Sequence, residues 1–398
     1  VKENPLPHVP EYQNFAPPVG KVYKEGVFGT SIKRLTDARA TPNAAGRGNL
    51  NWIGTEYSTC CPFNCDNTRL LLLHESYYGL YDGDGVFIRN LPFSINASSE
   101  PRWSRKFPDF LFYVNGNKVL MYDSGKDESR ILRAFTEYAG VNGAGESDIS
   151  EDGNHLVLCG DGHAIFVYDL LHDTKGPVLE TEGHAFDSLY ITPDNQFTVT
   201  WKEPTPKGIS GQGPRFTGIE LFEEFEDPKE GPNIRFVWQL AHAGGHMDLC
   251  RDCDGEPCLV WCNSGDKMPT CGSNALVKIR LRDGLQTCLL SLDWALNVHI
   301  SGTDKGYVFV ETYRNPGETS WPLHADELFR VSLNPDGLIL RLAHHRSLIG
   351  YQGDYVSQPK LSVSRDGSKL VWASNFDAPP NSAGEPSRAD VYMTKGIK

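Results

Sequence analysis

The sequence predicts an all-β fold, a seven-bladed β-propeller of four-stranded antiparallel blades, closed by an N-terminal strand that joins the last blade. Two observations carry this. Seven short apolar segments recur, each led by an Asp-containing turn, at Asp66, Asp109, Asp152, Asp194, Asp254, Asp304 and Asp366. The intervals between these aspartates are 43, 43, 42, 60, 50 and 62 residues, the period of a unit with several strands. The 39 glycines and 26 prolines supply turns for many short strands and suit few helices.

Taken in chain order, residues 1–26 are Pro-rich and aperiodic and read as an extended arm; residues 27–398 read as one propeller domain. Residue 1 is Val, which is expected of a processed or trimmed end. Residues 27–35 read as a strand. The last blade offers three strands of its own, over 358–364, 368–376 and 389–395, so the N-terminal strand is expected to supply the fourth and close the ring. The longer intervals place surface loops at about 202–216, 263–274, 313–325 and 376–388.

Charge and composition exclude some function classes. A net charge of −13 argues against a nucleic-acid partner. No apolar run has the length needed to span a bilayer. Ten cysteines, mostly clustered, favour disulfides and a secreted, extracellular or periplasmic setting. The disulfide candidates are Cys60, Cys61, Cys65, Cys250, Cys253, Cys258, Cys262 and Cys271. A hairpin near Asp254 would pair Cys250 with Cys258, and Cys253 or Cys271 could reach Cys262. Cys60 and Cys61 are adjacent and point to opposite strand faces, so they do not suit each other; Cys65 is a local partner for one of them.

The segment before each turn should be the blade's innermost strand, and alternate residues there share a face. This gathers Glu56, Glu100, Arg102, Glu146, Asp148 and Asp187 around the channel as candidate binding residues. The same rule places Asp248 with His246, and His299 and Gln358 beside them; these four residue types suit a divalent cation. A wet, narrow channel would also be lined by polar residues without any ligand.

The pattern Ser-x-Asp-Gly-x-x-Leu-Val occurs at residues 150–157 and 364–371, and residues 33–37 read Lys-Arg-Leu-Thr-Asp. In these segments the chain resembles the TolB-type and oligogalacturonate-lyase-like propellers. The resemblance implies a propeller closed by its N-terminal strand. Those lyases carry a metal-binding Gln, a paired His-x-His and a Cys-His-Glu-Gly stretch, none of which occurs here; Leu73-His74-Glu75-Ser76 is a partial echo.

Two functional readings follow. In one, the protein is a non-catalytic binding or building unit that associates with copies of itself, head to tail through the arm and disulfides into a filament, or binds carbohydrate. In the other, it is a polysaccharide lyase. A cation on His246, His299 and Gln358 would neutralise a uronate, a channel histidine or Tyr57 would remove the proton, and Arg102 would bind the sugar acid.

Overall fold

The computed structural model describes residues 7–11, 16–205, 213–268, 271–334, 337–378 and 387–396. Its strands form seven antiparallel sheets, the blades of a propeller. The second blade has strands Arg102–Trp103, Phe110–Asn115, Lys118–Asp123 and Glu128–Ala134. The sixth has Leu296–Gly302, Tyr307–Arg314, Glu327–Ser332 and Ile339–His344. The first blade has three ladder strands, and two single bridges, Gly54 with Leu73 and Phe63 with Leu70, stand where a fourth would lie. Apolar faces of neighbouring blades pack against each other. Val298, Ile300, Val308 and Val310 of the sixth blade, for example, share a buried cluster with Val260 and Leu276 of the fifth.

The Asp-containing turns explain why the strands stop and start where they do. Asp152 accepts hydrogen bonds from Ser150 Oγ (2.6 Å) and Asn154 N (2.9 Å), and Asp366 accepts the same pair from Ser364 Oγ (2.7 Å) and Ser368 N (3.0 Å). A short carboxylate thus satisfies the backbone donor that the turn exposes. In the fifth blade the residue in this role is Asp252, not Asp254: Asp252 accepts from Asp254 N and Glu256 N.

Closure occurs as the sequence implies, with one addition. Ser31–Arg34 pairs with Asp390–Lys395 of the last blade, and Val22–Lys24 adds a fifth strand outside it. The described parts of the arm lie on their own propeller. His344 Nε2 donates to His8 O (2.9 Å), Arg346 Nη2 to Glu11 O (3.0 Å) and Arg34 Nη1 to Pro17 O (3.0 Å). At the seam Asp390 accepts from Arg34 Nη2 (2.8 Å), Thr36 Oγ1 (3.1 Å) and Ala38 N (2.8 Å).

Two expectations are corrected. Residues 263–274 are not simply a surface loop. Pro257–Met268 and Gly272–Arg280 form a long hairpin in which Asn263 faces Ala275, so backbone pairing continues well past the expected strand end. This extension also decides the cysteines. Cys271 lies beyond the hairpin tip, returns against the outer strand Gln286–Ser291 and bonds to Cys288, which was not among the candidates. Cys60, Cys61, Cys65, Cys250, Cys253, Cys258 and Cys262 are thiols. Cys250 and Cys258 do face each other in register, with sulfurs 3.6 Å apart. Cys262 instead lies near Asn274 Oδ1.

Replacing Asp390 with Ala removes the closer of the two carboxylates of buried Arg34 and leaves only Asp37, at 3.5 Å and more exposed. We expect a loss of about 3–5 kcal/mol, read as a lower thermal midpoint, whereas an exposed change such as Asp84→Ala should cost little.

A candidate acid–base site at the channel mouth

The inner segments carry residues of different charge to the two ends of the channel. At one end stand Tyr57, His246, His299 and Lys360. At the other, Arg365 pairs with Asp148 (3.0 Å) and Arg105 with Asp304 (3.3 Å) around a cavity of about 60 Å³. Asp248 lines that far cavity and accepts from Leu249 N (2.8 Å) and Gly302 N (2.6 Å). It follows His246 by two residues on the channel face but serves the opposite end.

Several binding candidates are held by partners within the fold. Arg102 donates to both oxygens of Glu56 (3.0 and 3.1 Å) and to Ser147 O, Pro101 O and Gly145 O. Tyr78 also donates to Glu56 (2.8 Å). Glu100 accepts from Gly143 N (2.6 Å) and Gly145 N (2.9 Å), and Glu146 from Tyr190 (2.5 Å). Burial pushes the Glu100 and Glu146 carboxyls upward. Asp187 is exposed. The acidic ring is therefore largely tied up internally, and Arg102 fastens the first three blades rather than facing the histidines. His74 is packed inside the first blade, with Nε2 on Tyr81 Oη (2.6 Å).

The histidine end is built by strand register. His299 sits directly across from Glu311 on the neighbouring strand, which places Nδ1 2.5 Å from Oε1. Glu311 Oε2 accepts from Leu361 N (2.8 Å). Tyr57 Oη lies 3.0 Å from His246 Nδ1, and the His246 and His299 rings meet edge to face at 4.6 Å. Tyr313 stacks on His299 at 5.5 Å. Nε2 of His299 is buried with no hydrogen-bond partner among the described residues.

Lys360 completes the group. Its backbone has φ +45°, a strained value for a side-chain-bearing residue and one that structure around it must hold. Its residue is 4% exposed, and its ammonium lies 3.8 Å from the centre of the Tyr355 ring. It makes no ion pair or hydrogen bond with a described carboxylate. A buried cation resting on an aromatic face, with the Glu311 and Glu56 carboxylates acting on it only from beyond ion-pair distance, is costly to hold charged.

Burial sets the protonation states. It lowers His246 and His299 to about 3, so both rings are neutral; His299 also opposes charge on His246, and Lys360 opposes that of His299. It raises Glu311 to about 7 against the pull of His345. It lowers Lys360 to about 8, although Glu311 and Glu56 act to raise it. The Tyr57 phenol is raised, by burial first and then by Glu146, and keeps its proton.

Of the residues expected to bind metal, His246 and His299 adjoin. Asp248 does not join them, and Gln358 lies in a neighbouring cleft with Asn297 and Tyr313. Among the described residues no group of three or more His, Cys, Asp and Glu side chains could hold a metal ion. Lys360, Glu311 and Tyr355 were not anticipated as site residues. Lys360 was visible as the residue two after Gln358 on an inner segment; Glu311 is defined by a cross-strand register that sequence periodicity does not give.

No protein-family model matches the chain, and none of the curated proteins matches it. Among solved structures it is similar to an oligogalacturonate lyase in complex with manganese, at 15% identity and TM-score 0.60, over 94% of this chain and 95% of that one. It is also similar to an oligogalacturonate lyase from Vibrio parahaemolyticus, at 11% identity and TM-score 0.56, over 94% and 96% of the two chains. At these identities the likeness shows the propeller fold, and activity has to be argued from the site.

Small carboxylates such as acetate should bind at Lys360 with an affinity that falls as pH rises. Through about 7, Glu311 gains a negative charge; through about 8, Lys360 loses its positive one. The first step repels the ligand and the second removes the charge that attracts it. Chemical-shift titration across this range checks the sign, and Lys360→Met should abolish the binding.

Proposed function

We propose that the channel mouth binds an acidic sugar and that its residues support cleavage by β-elimination. The observation that carries this is the buried Lys360 ammonium, without a carboxylate partner, at the same channel end as a neutral Tyr57–His246 pair. Lys360 would hold the uronate carboxylate and thereby acidify the adjacent C5–H. With Nδ1–H of His246 donated to Tyr57, Nε2 carries the lone pair that takes the C5 proton. The C4–O bond then breaks, its electrons go to the leaving oxygen, and Tyr57 protonates that oxygen, leaving a C4–C5 double bond. Glu311 and His299 act behind His246 as positioning residues; an ionised Glu311 raises the basicity of His246 electrostatically.

The manganese named for the first of these lyases does not fit here. Among the described residues the histidines find no third ligand of the usual kinds, Asp248 faces the other end, and an ammonium stands where it opposes positive charge on His299. No step is therefore routed through a metal, and charge neutralisation falls to Lys360.

A second reading, binding without turnover, has one observation in its favour. A histidine held near 3 is a weak base at neutral pH. Association with copies of itself remains open as a proposal through the outer edge strand Val22–Lys24, although the arm's contacts to its own propeller would have to be released for an exchange. A secreted setting accords with an acidic polysaccharide ligand and with the Cys271–Cys288 bridge.

Turnover of uronate oligomers should follow a bell-shaped pH profile. Activity needs Glu311 ionised, which sets a rising limb near 7, and Lys360 charged, which sets a falling limb near 8. Glu311→Gln should remove the rising limb. Lys360→Met should cut the rate of unsaturated product by about 10²-fold or more. Binding without any unsaturated product across the profile would establish the second reading instead.

A further inference from the structure

A cleft of about 350 Å³ adjoins the site, within the size range of small-ligand clefts. Its polar lining consists of Asn297, Asn315, Gln352, Gln358, Tyr313 and Tyr351, and no Asp, Glu, Lys, Arg or His lines it. Three of these residues are tied to the acid–base group, two by strand period and one by nearness in the chain. Asn297 precedes His299 by two residues, Gln358 precedes Lys360 by two, and Tyr313 follows Glu311 by two. Asn297 and Tyr313 are also cross-strand partners, as His299 and Glu311 are. On the two strands of the sixth blade the cleft is therefore one pleat, about 6.6–6.8 Å, from His299 and Glu311.

We infer that this cleft is a subsite for an uncharged sugar, so that the ligand is a mixed saccharide with an acidic unit at Lys360 joined to a neutral one. The inference rests on the reading of Lys360 as the carboxylate site. Amide side chains offer donors and acceptors together, as sugar hydroxyls do, and the tyrosines add both rings and hydroxyls. Gln352 and Gln358 make no side-chain hydrogen bond to any described residue, so their amides are available. Asn315 is fixed by donating to Trp294 O (3.0 Å) and accepting from Asn297 (2.5 Å), which holds that edge of the cleft in place. A second carboxylate in the cleft would lose water and meet no cation there. A polymer charged at every unit is thus disfavoured relative to one in which acidic and neutral units adjoin.

The test is calorimetric titration of the intact protein with galacturonate, galacturonosyl-rhamnose and digalacturonate. The mixed disaccharide should bind about tenfold more tightly than digalacturonate. Gln352→Lys, at an exposed position, should narrow or reverse that ratio by placing a cation in the cleft. If digalacturonate binds as tightly as the mixed disaccharide while galacturonate still binds and Lys360→Met abolishes it, the subsite is wrong and the proposed function stands. If the preference survives both Gln352→Lys and Gln358→Lys, the cleft is not its source and the inference fails. If galacturonate itself does not bind, the carboxylate site fails and the subsite falls with it.

Discussion

Ring closure is the constraint on which the site depends. A propeller channel has a defined shape only when its last blade is completed by the first strand of the chain, because an open array leaves two sheet edges and lets the blades spread. Here Asp390 gathers Arg34, Thr36 and Ala38 at that seam. Lys360 enters the channel from the same closing blade, and its φ of +45° is a strained conformation that a loosened ring would release. The distance between Lys360 and the histidines of the fifth and sixth blades is thus set by how the two ends of the chain meet.

Desolvation then separates the two channel ends. At the far end each guanidinium has a carboxylate, as Arg365 has Asp148 and Arg105 has Asp304. At the mouth, neutral histidines and a strongly shifted Glu311 surround an ammonium that rests on Tyr355. Paired buried charges stabilise geometry and take no ligand. An unpaired one beside titrating neighbours is the feature on which the proposed carboxylate site rests. Internal partners reduce the repulsion that the acidic ring exerts on an anion: Arg102 and Tyr78 hold Glu56, and Tyr190 holds Glu146.

The fold was legible because it is written in short-range signals. The Ser-x-Asp-Gly turns at Asp152 and Asp366 act locally, and their spacing counts the blades. The inner segments follow from the same signals, and on them Tyr57, His246 and His299 come together while Gln358 lies in the neighbouring cleft. What failed was long-range or depended on strand length. Pro257–Met268 runs as a strand into the segment expected to be a loop, and Cys271 meets Cys288 rather than Cys262. Glu311 became a site residue only through its register opposite His299. Arg102 looked like a free cation in the sequence but has five acceptors in the folded chain. Lys360, a buried cation without an ion pair among the described residues, is told apart from Arg102 by what three-dimensional packing leaves beside it.

The account stands most directly on the state of the Lys360 side chain. NMR titration of its ammonium, assigned by comparison with Lys360→Arg, measures that state with and without galacturonate. The account predicts a value near 8 in the free protein, moved upward when galacturonate binds. An ordinary lysine value that galacturonate leaves unmoved would contradict it.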